Sequence, residues 1–153
     1  MRFLELRVPP PLVAVLAALA IWGLRRAFPE EGVSIPGRRI IYGTLLGLGI
    51  VAIAAGLFEF RRARTTVNPM KPETSTALVT SGIYRLTRNP MYLGLALMLL
   101  AVVVFFSNPL GLACIVVFVV WMDVFQIAPE ERALRARFGE VFDEYCARVR
   151  RWL

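Results

Sequence analysis

The chain has no histidine. That removes the side chain that most often serves as a general base near neutral pH, and the commonest zinc ligand. Cysteine is scarce: Cys114 lies in an apolar run and Cys146 in a charged one, too few for a disulfide framework, and both read as reduced. Lysine is nearly missing, with Lys71 alone against 17 arginines, and the formal net charge is +7. No internal repeat and no low-complexity tract occurs, and no G-x-G-x-x-G turn of a dinucleotide-binding strand–helix unit.

What is present is apolar. Of 153 residues, 58% are hydrophobic, against about 45–50% in an ordinary soluble domain. They fall in four blocks: about Val8 to Leu24, Ile40 to Phe60, Tyr92 to Phe106 and Leu110 to Ile127. A membrane-crossing helix needs about 20 apolar residues, with a range of roughly 17–25. The first, second and fourth blocks are long enough. The third is short, and "SNPLG" (Ser107 to Gly111) turns it tightly into the fourth, so these two form a helical hairpin. Arginines flank the blocks, which points to lipid head groups and away from nucleic acid. Arg2 and Arg7 before the first block also fit a signal peptide, but "WGLRR" at its end is no small-residue cleavage site.

The expected fold class is therefore all-α, a polytopic membrane protein with about four transmembrane helices and a C-terminal amphipathic helix. Residues 1–153 read as one integral membrane domain. It divides into two N-terminal spans (1–60), a cytoplasmic loop (61–91), the hairpin (92–127) and a cytoplasmic amphipathic helix (128–153). Fourteen Lys and Arg fall on the side of the termini and the 61–91 loop, and four (Arg25, Arg26, Arg38, Arg39) on the other. The positive-inside rule then puts both termini in the cytoplasm. "GTLLG" (Gly43 to Gly47) allows close helix packing, within the chain rather than at a dimer seam. In the tail, Leu134, Phe138, Val141, Phe142, Tyr145, Val149 and Trp152 recur at steps of three and four, as in one amphipathic helix lying in the interface or docked on the spans. Pro129 suits its first position, Glu130 and Glu131 its positive start, and Glu131 can pair with Arg135.

The polar residues gather at "SGIYRLTRNPMYLG" (Ser81 to Gly94). Pro90 fits the first turn of the third helix with Asn89 as its N-cap. A cap does not account for Gly82, Tyr84, Arg85, Arg88 and Tyr92 together. A helix start ringed by arginines holds a carboxylate or phosphate, and a nearby Glu pair accepts hydrogen bonds from a sugar diol. Asp123, an ionisable group inside a span, is a functional candidate, or else it pairs with an arginine such as Arg88. Glu59 reads as a snorkelling end residue.

"TALVTSGIYRLTRNPMYLG" (Thr76 to Gly94), then a hairpin, then "EERALRARFGEVFDEYCARVRRW" (Glu130 to Trp152) resembles the isoprenylcysteine carboxyl methyltransferase family. Phospholipid methyltransferases carry a related pattern. The resemblance covers roughly residues 66 to 152. It implies an integral membrane enzyme that uses S-adenosylmethionine without a Rossmann domain, with no metal, acting on a lipid or other lipophilic small molecule at the cytoplasmic membrane face. A carboxylate is the first candidate acceptor. It implies a cofactor pocket between hairpin and tail, touched by Thr76, Ala77, Leu78, Val79 and Tyr84, by Asn89, Pro90, Met91 and Tyr92, and by Glu130 with Glu131. Glu130, Tyr92 and Arg88 are the catalytic candidates, and Gln126 and Asp123 the substrate-side ones. Two positions depart from the eukaryotic pattern, which has His at Asn89 and a substrate-binding Arg at Gln126. Two competing readings are a nicotinamide-dependent reductase of the sterol reductase type and a membrane scaffold whose basic loops bind anionic lipid.

Overall fold

The computed structural model describes residues 4–64 and 76–153. Arg2 and Lys71 of the charge count, and the residues before Thr76 that the resemblance reaches, lie outside the described residues. The described chain is all helix, without a strand. Four helices carry the apolar blocks: α1 (Pro10–Ala27), α2 (Arg38–Arg62), α3 (Pro90–Phe106) and α4 (Gly111–Trp121). A wide turn (Met122–Ile127) joins α4 to α5 (Ala128–Phe138), and α6 (Glu140–Arg148) follows. Three stretches, Pro10–Ala27, Arg38–Arg62 and Gly111–Phe138, are long and apolar enough to cross a membrane, and α3 is a shorter apolar helix. The protein is thus an all-helical polytopic membrane protein.

Proline opens α1 and α3, where its missing N–H costs no hydrogen bond. Ser107 ends α3 in the left-handed region (φ 53°). In the turn that follows, Asn108 accepts the Leu110 N–H at 3.0 Å and donates to Phe28 O at 3.0 Å. The hairpin turn is thereby stitched to the end of α1. The core lies between α1, α3 and α4, where Ile21, Leu99, Phe118 and Met122 are buried. Leu16, Val51, Phe58, Val116 and Val117 point outward, as lipid-facing side chains do.

α2 and α3 pack most closely where Gly49 meets Gly94. A Cβ on Gly94 would stand 2.6 Å from Gly49 O and 2.6 Å from Ile53 Cγ1. A Cβ on Gly56 would stand 3.0 Å from Met91 Cγ and 3.3 Å from Pro90 Cγ. Gly43 and Gly47 of the "GTLLG" motif face open space instead, so close packing belongs to other glycines of the same helix. Gly94→Ala is expected to destabilise the protein by about 1–3 kcal/mol, the usual cost of forcing a group into a filled interface. Thermal unfolding in detergent measures this, and an unchanged midpoint would mean that the two backbones do not touch.

The tail differs from the single amphipathic helix expected from the sequence. Helix continues unbroken from Gly111 to Phe138, so Pro129 sits inside it and starts nothing new. An interior proline lacks the N–H for the carbonyl four residues back and crowds it with its ring. The turn ahead of Pro129 widens to accommodate this, with the Ala128 N–H reaching back five residues to Asp123 O. The orphaned Phe125 carbonyl is taken by the Leu6 N–H at 3.0 Å. Glu5 pairs with Arg132 beside it. Gly139, at φ 53° and ψ −129°, then breaks the helix in a conformation that suits glycine. α6 folds back, and Phe142, Tyr145 and Val149 bury against Leu78, Leu134 and Phe138. The apolar stripe therefore docks on the chain's own loop, with Val141 left exposed.

Candidate active site

The site forms where the start of α3 meets the start of α5. Before α3, the chain makes a short 3₁₀ turn over Gly82–Arg85. Gly82 adopts φ 57°, and a Cβ there would collide with the Glu59 carboxylate. Glu59 is buried and accepts a hydrogen bond from Ser81 Oγ. It therefore holds the loop from the end of α2, and does not snorkel. The turn buries Tyr84, edge-on to Phe60 at 5.6 Å. Its carbonyl accepts from the Tyr145 hydroxyl at 2.7 Å. Burial, followed by the charges of Tyr145, Glu130 and Glu59, pushes the Tyr84 hydroxyl well above its ordinary value, so it stays protonated. Burial likewise raises Tyr145, against the lowering influence of Arg88.

Tyr92, in the first turn of α3, donates to Glu130 Oε1 at 2.5 Å. Gln126, one turn before Glu130, donates to the same oxygen at 2.5 Å. Tyr92 and Gln126 are both buried. Glu130 Oε2 takes no hydrogen bond among the described residues. The carboxylate is thus oriented by two donors on one oxygen. Tyr84, Tyr92, Gln126 and Glu130 form one group.

The second acid does different work. Glu131 accepts from Arg88 Nη2 at 2.7 Å and from Arg151 Nη2 at 2.6 Å. Arg88 also donates to Val149 O at 2.7 Å and Cys146 O at 3.2 Å. Its guanidinium is thus held by the tail through both terminal nitrogens. Asp123 takes Arg151 Nη1 at 3.4 Å and the Trp152 indole N–H at 3.2 Å. The partner of Asp123 is therefore Arg151 and not Arg88. Arg135 pairs with Asp143 at 2.7 Å rather than with Glu131, because Gly139 folds α6 back beside α5.

The last residues of the chain run back as a strap across the start of α3. Arg151 O accepts from Asn89 Nδ2 at 2.9 Å and from Thr87 Oγ1 at 3.2 Å, and the Arg88 N–H donates to Arg150 O at 3.0 Å. Asn89 occupies the N-cap position without a side-chain cap hydrogen bond. It holds the strap instead. Asn89→His is expected to leave the unfolding midpoint nearly unchanged, since an imidazole N–H can replace the amide donor. Asn89→Ala should destabilise the protein by about 1 kcal/mol, the net value of one hydrogen bond. Thermal unfolding of both variants in detergent reads the difference, and equal loss in both would show that the amide has another role.

Of the remaining residues expected to touch a cofactor, Val79 and Pro90 are buried, Met91 packs on Gly56, Leu78 packs against the α6 cluster, and Thr76 is exposed beside Ala77. The sequence reading gave no role in the site to Glu59, Ser81, Thr87 or Arg151. Of these, Arg151 had a signal, the "RVRRW" end of the tail motif, where Trp152 was read only for its apolar ring.

Comparison with known proteins bears on this arrangement. The family described as phospholipid methyltransferase matches residues 38–141. An uncharacterised protein of Haemophilus influenzae is 41% identical over 63 residues, which is 41% of this chain and 100% of that protein. Protein-S-isoprenylcysteine O-methyltransferase B of Arabidopsis thaliana is 30% identical over 107 residues, 69% of this chain. The match spans 54% of the plant protein, about half its length. No solved structure matches the chain at a significant level.

Proposed function

This chain belongs to the phospholipid methyltransferase family, and from that premise we propose that it transfers a methyl group from S-adenosylmethionine to a lipophilic acceptor at the cytoplasmic membrane face. We place it in a bacterial inner membrane with both termini cytoplasmic, on the distribution of arginines about the spans. The observation that carries the reading is the meeting of Tyr92 and Glu130 at 2.5 Å, which joins the two separated sequence motifs in one site.

The donor set suits such a cofactor. Glu130 Oε2 is free to accept from an ammonium or a ribose hydroxyl, and a buried carboxylate favours a cationic ligand beside it. Tyr84 and Tyr92 offer aromatic faces next to that carboxylate. When bound, S-adenosylmethionine supplies a methyl group already activated on a sulfonium. The protein's part is then alignment and exclusion of water, which contribute about 7–11 kcal/mol in well-oriented reactions. A carboxylate acceptor needs no base. An amine, thiol or hydroxyl must lose a proton, and here Glu131 and Asp123 are already bound to arginines. Glu130 and Tyr92 are left to take that role. Gln126, tied to Glu130, faces the acceptor in place of a cation.

The test is to feed membranes that contain the protein with methyl-labelled S-adenosylmethionine and to extract the lipids. Label in the lipid fraction, absent with Glu130→Ala, supports the reading. Base-labile label identifies an ester, and stable label an amine or ether. An unlabelled lipid fraction, or tight binding of NADPH in place of S-adenosylhomocysteine, would overturn it.

A further inference from the structure

The start of α2 lies at the opposite end of the molecule from Glu130 and Tyr92. The 17 residues of α3 separate the two ends, about 25 Å at the rise of an α-helix. A cavity of about 540 Å³ opens there, lined by Val33, Ser34, Gly37, Arg38, Arg39 and Ser107 among others. Its walls are pinned. The Val33 N–H donates to Ser107 O at 2.8 Å, and Arg38 Nη1 donates to Ser107 Oγ at 3.2 Å. Gly37, at φ 68°, turns the loop sharply into α2 and sets Arg38 and Arg39 side by side on the rim.

We propose that this cavity binds a phosphate ester group, the head group of an anionic lipid in the leaflet opposite the candidate active site. Charge is the first support. Neither Arg38 nor Arg39 has a carboxylate within ion-pair distance among the described residues, and Glu30 and Glu31 on the same loop make no ion pair either. Two uncompensated guanidiniums beside a cavity call for an anion, and the guanidinium fork matches phosphate oxygens. The hydroxyl of Ser34 in the same wall adds a donor, while that of Ser107 donates to Val104 O at 3.2 Å and serves to hold Arg38. Depth is the second support. Ile40 follows directly at 76% exposed and begins the lipid-facing stripe that continues through Leu48, Val51 and Phe58. The cavity therefore sits at the hydrocarbon edge, the level of lipid phosphates, with apolar Val33 and Ile40 beside it for the acyl stems.

The experiment uses the purified protein in phosphatidylcholine nanodiscs doped with phosphatidylglycerol, with native mass spectrometry reading the lipid retained. Three variants are compared: Arg38→Ala with Arg39→Ala, Arg39→Gln alone, and Arg61→Ala with Arg62→Ala at the other end of α2. The first should lose phosphatidylglycerol by about thirtyfold, on the scale of two interfacial arginines. Arg39→Gln removes a side chain without hydrogen-bond partners among the described residues, keeps the fold and should lose part of the bound lipid. The Arg61 and Arg62 variant should retain the lipid. A second arm titrates inorganic phosphate into pure phosphatidylcholine discs. Retention in the first arm assigns the group to a lipid, and a response confined to the second assigns it to a soluble anion. Equal loss in the two double variants, or no response in either arm, would overturn the site.

Discussion

Glu130→Ala is expected to lower affinity for S-adenosylhomocysteine by about ten- to a hundredfold. The loss is that of a hydrogen bond to a charged group, worth about 1.5–3 kcal/mol. The substitution also removes the acceptor to which the Tyr92 hydroxyl and the Gln126 amide both donate at 2.5 Å from buried positions. Glu130→Gln separates the two effects, because its carbonyl oxygen can still accept from Tyr92 while the charge is gone. An intermediate loss for Gln assigns part of the affinity to charge. Calorimetry in detergent gives the values, with the unfolding midpoint as a check that the variants are folded. Affinity unchanged in Glu130→Ala would remove this residue from the site, and with it the reason for joining the two motifs.

The largest effect on stability belongs to the neighbouring acid. Glu131→Ala should destabilise the protein by about 3 kcal/mol, the low end for removing one partner of a buried ion pair. Arg88 would be left with no counter-charge, at 13% side-chain exposure, and its Nε already has no partner among the described residues. Arg151 is more exposed, at 37%, so water recovers part of its loss and the low end applies. Thermal unfolding measures the total. Glu131→Gln, which still accepts from both guanidiniums, should recover part of it. Arg135→Ala, which breaks the surface pair with Asp143 and a contact over the Phe142 ring, should shift the midpoint less. Comparable shifts for Glu131→Ala and Arg135→Ala would show that the Arg88–Glu131–Arg151 group contributes no more than a surface pair.

The helices and their ends were legible because they depend on local chemistry. Blocks of lipid length, Pro90 behind Asn89, and "SNPLG" announced the spans and the hairpin without help from distant residues. Tyr92 and Glu130 were singled out because both lie in the stretches that carry the family resemblance, and the fold brings them within hydrogen-bond distance. What was not legible depends on which side of a helix meets a neighbour. "GTLLG" has the spacing for close packing, yet Gly49, two residues on, faces α3 and takes that role. Glu59 looks like any charge at a helix end until Ser81 folds over it. Arg88 looks like an anion binder until the tail returns and occupies it with Glu131 and two carbonyls. Pro129 carries the usual sign of a helix start, and only the amide of Leu6, far away in the chain, lets the helix run through it.

The widened turn at Met122–Ile127 has a bearing on how such a chain tolerates insertions and deletions. It accommodates one more residue than a regular turn would, so it acts as a phase adjuster between the lipid-immersed half of the long helix and the acidic half. Shortening that turn by one residue would restore regular winding and leave Glu130 aimed at Tyr92. One residue removed from the regular helix beyond Glu131 would leave Glu130 in place and swing Leu134 and Phe138 by about 100°, off the cluster they share with Phe142. Two single-codon losses a few positions apart would thus differ, the first absorbed and the second felt in the packing of the tail.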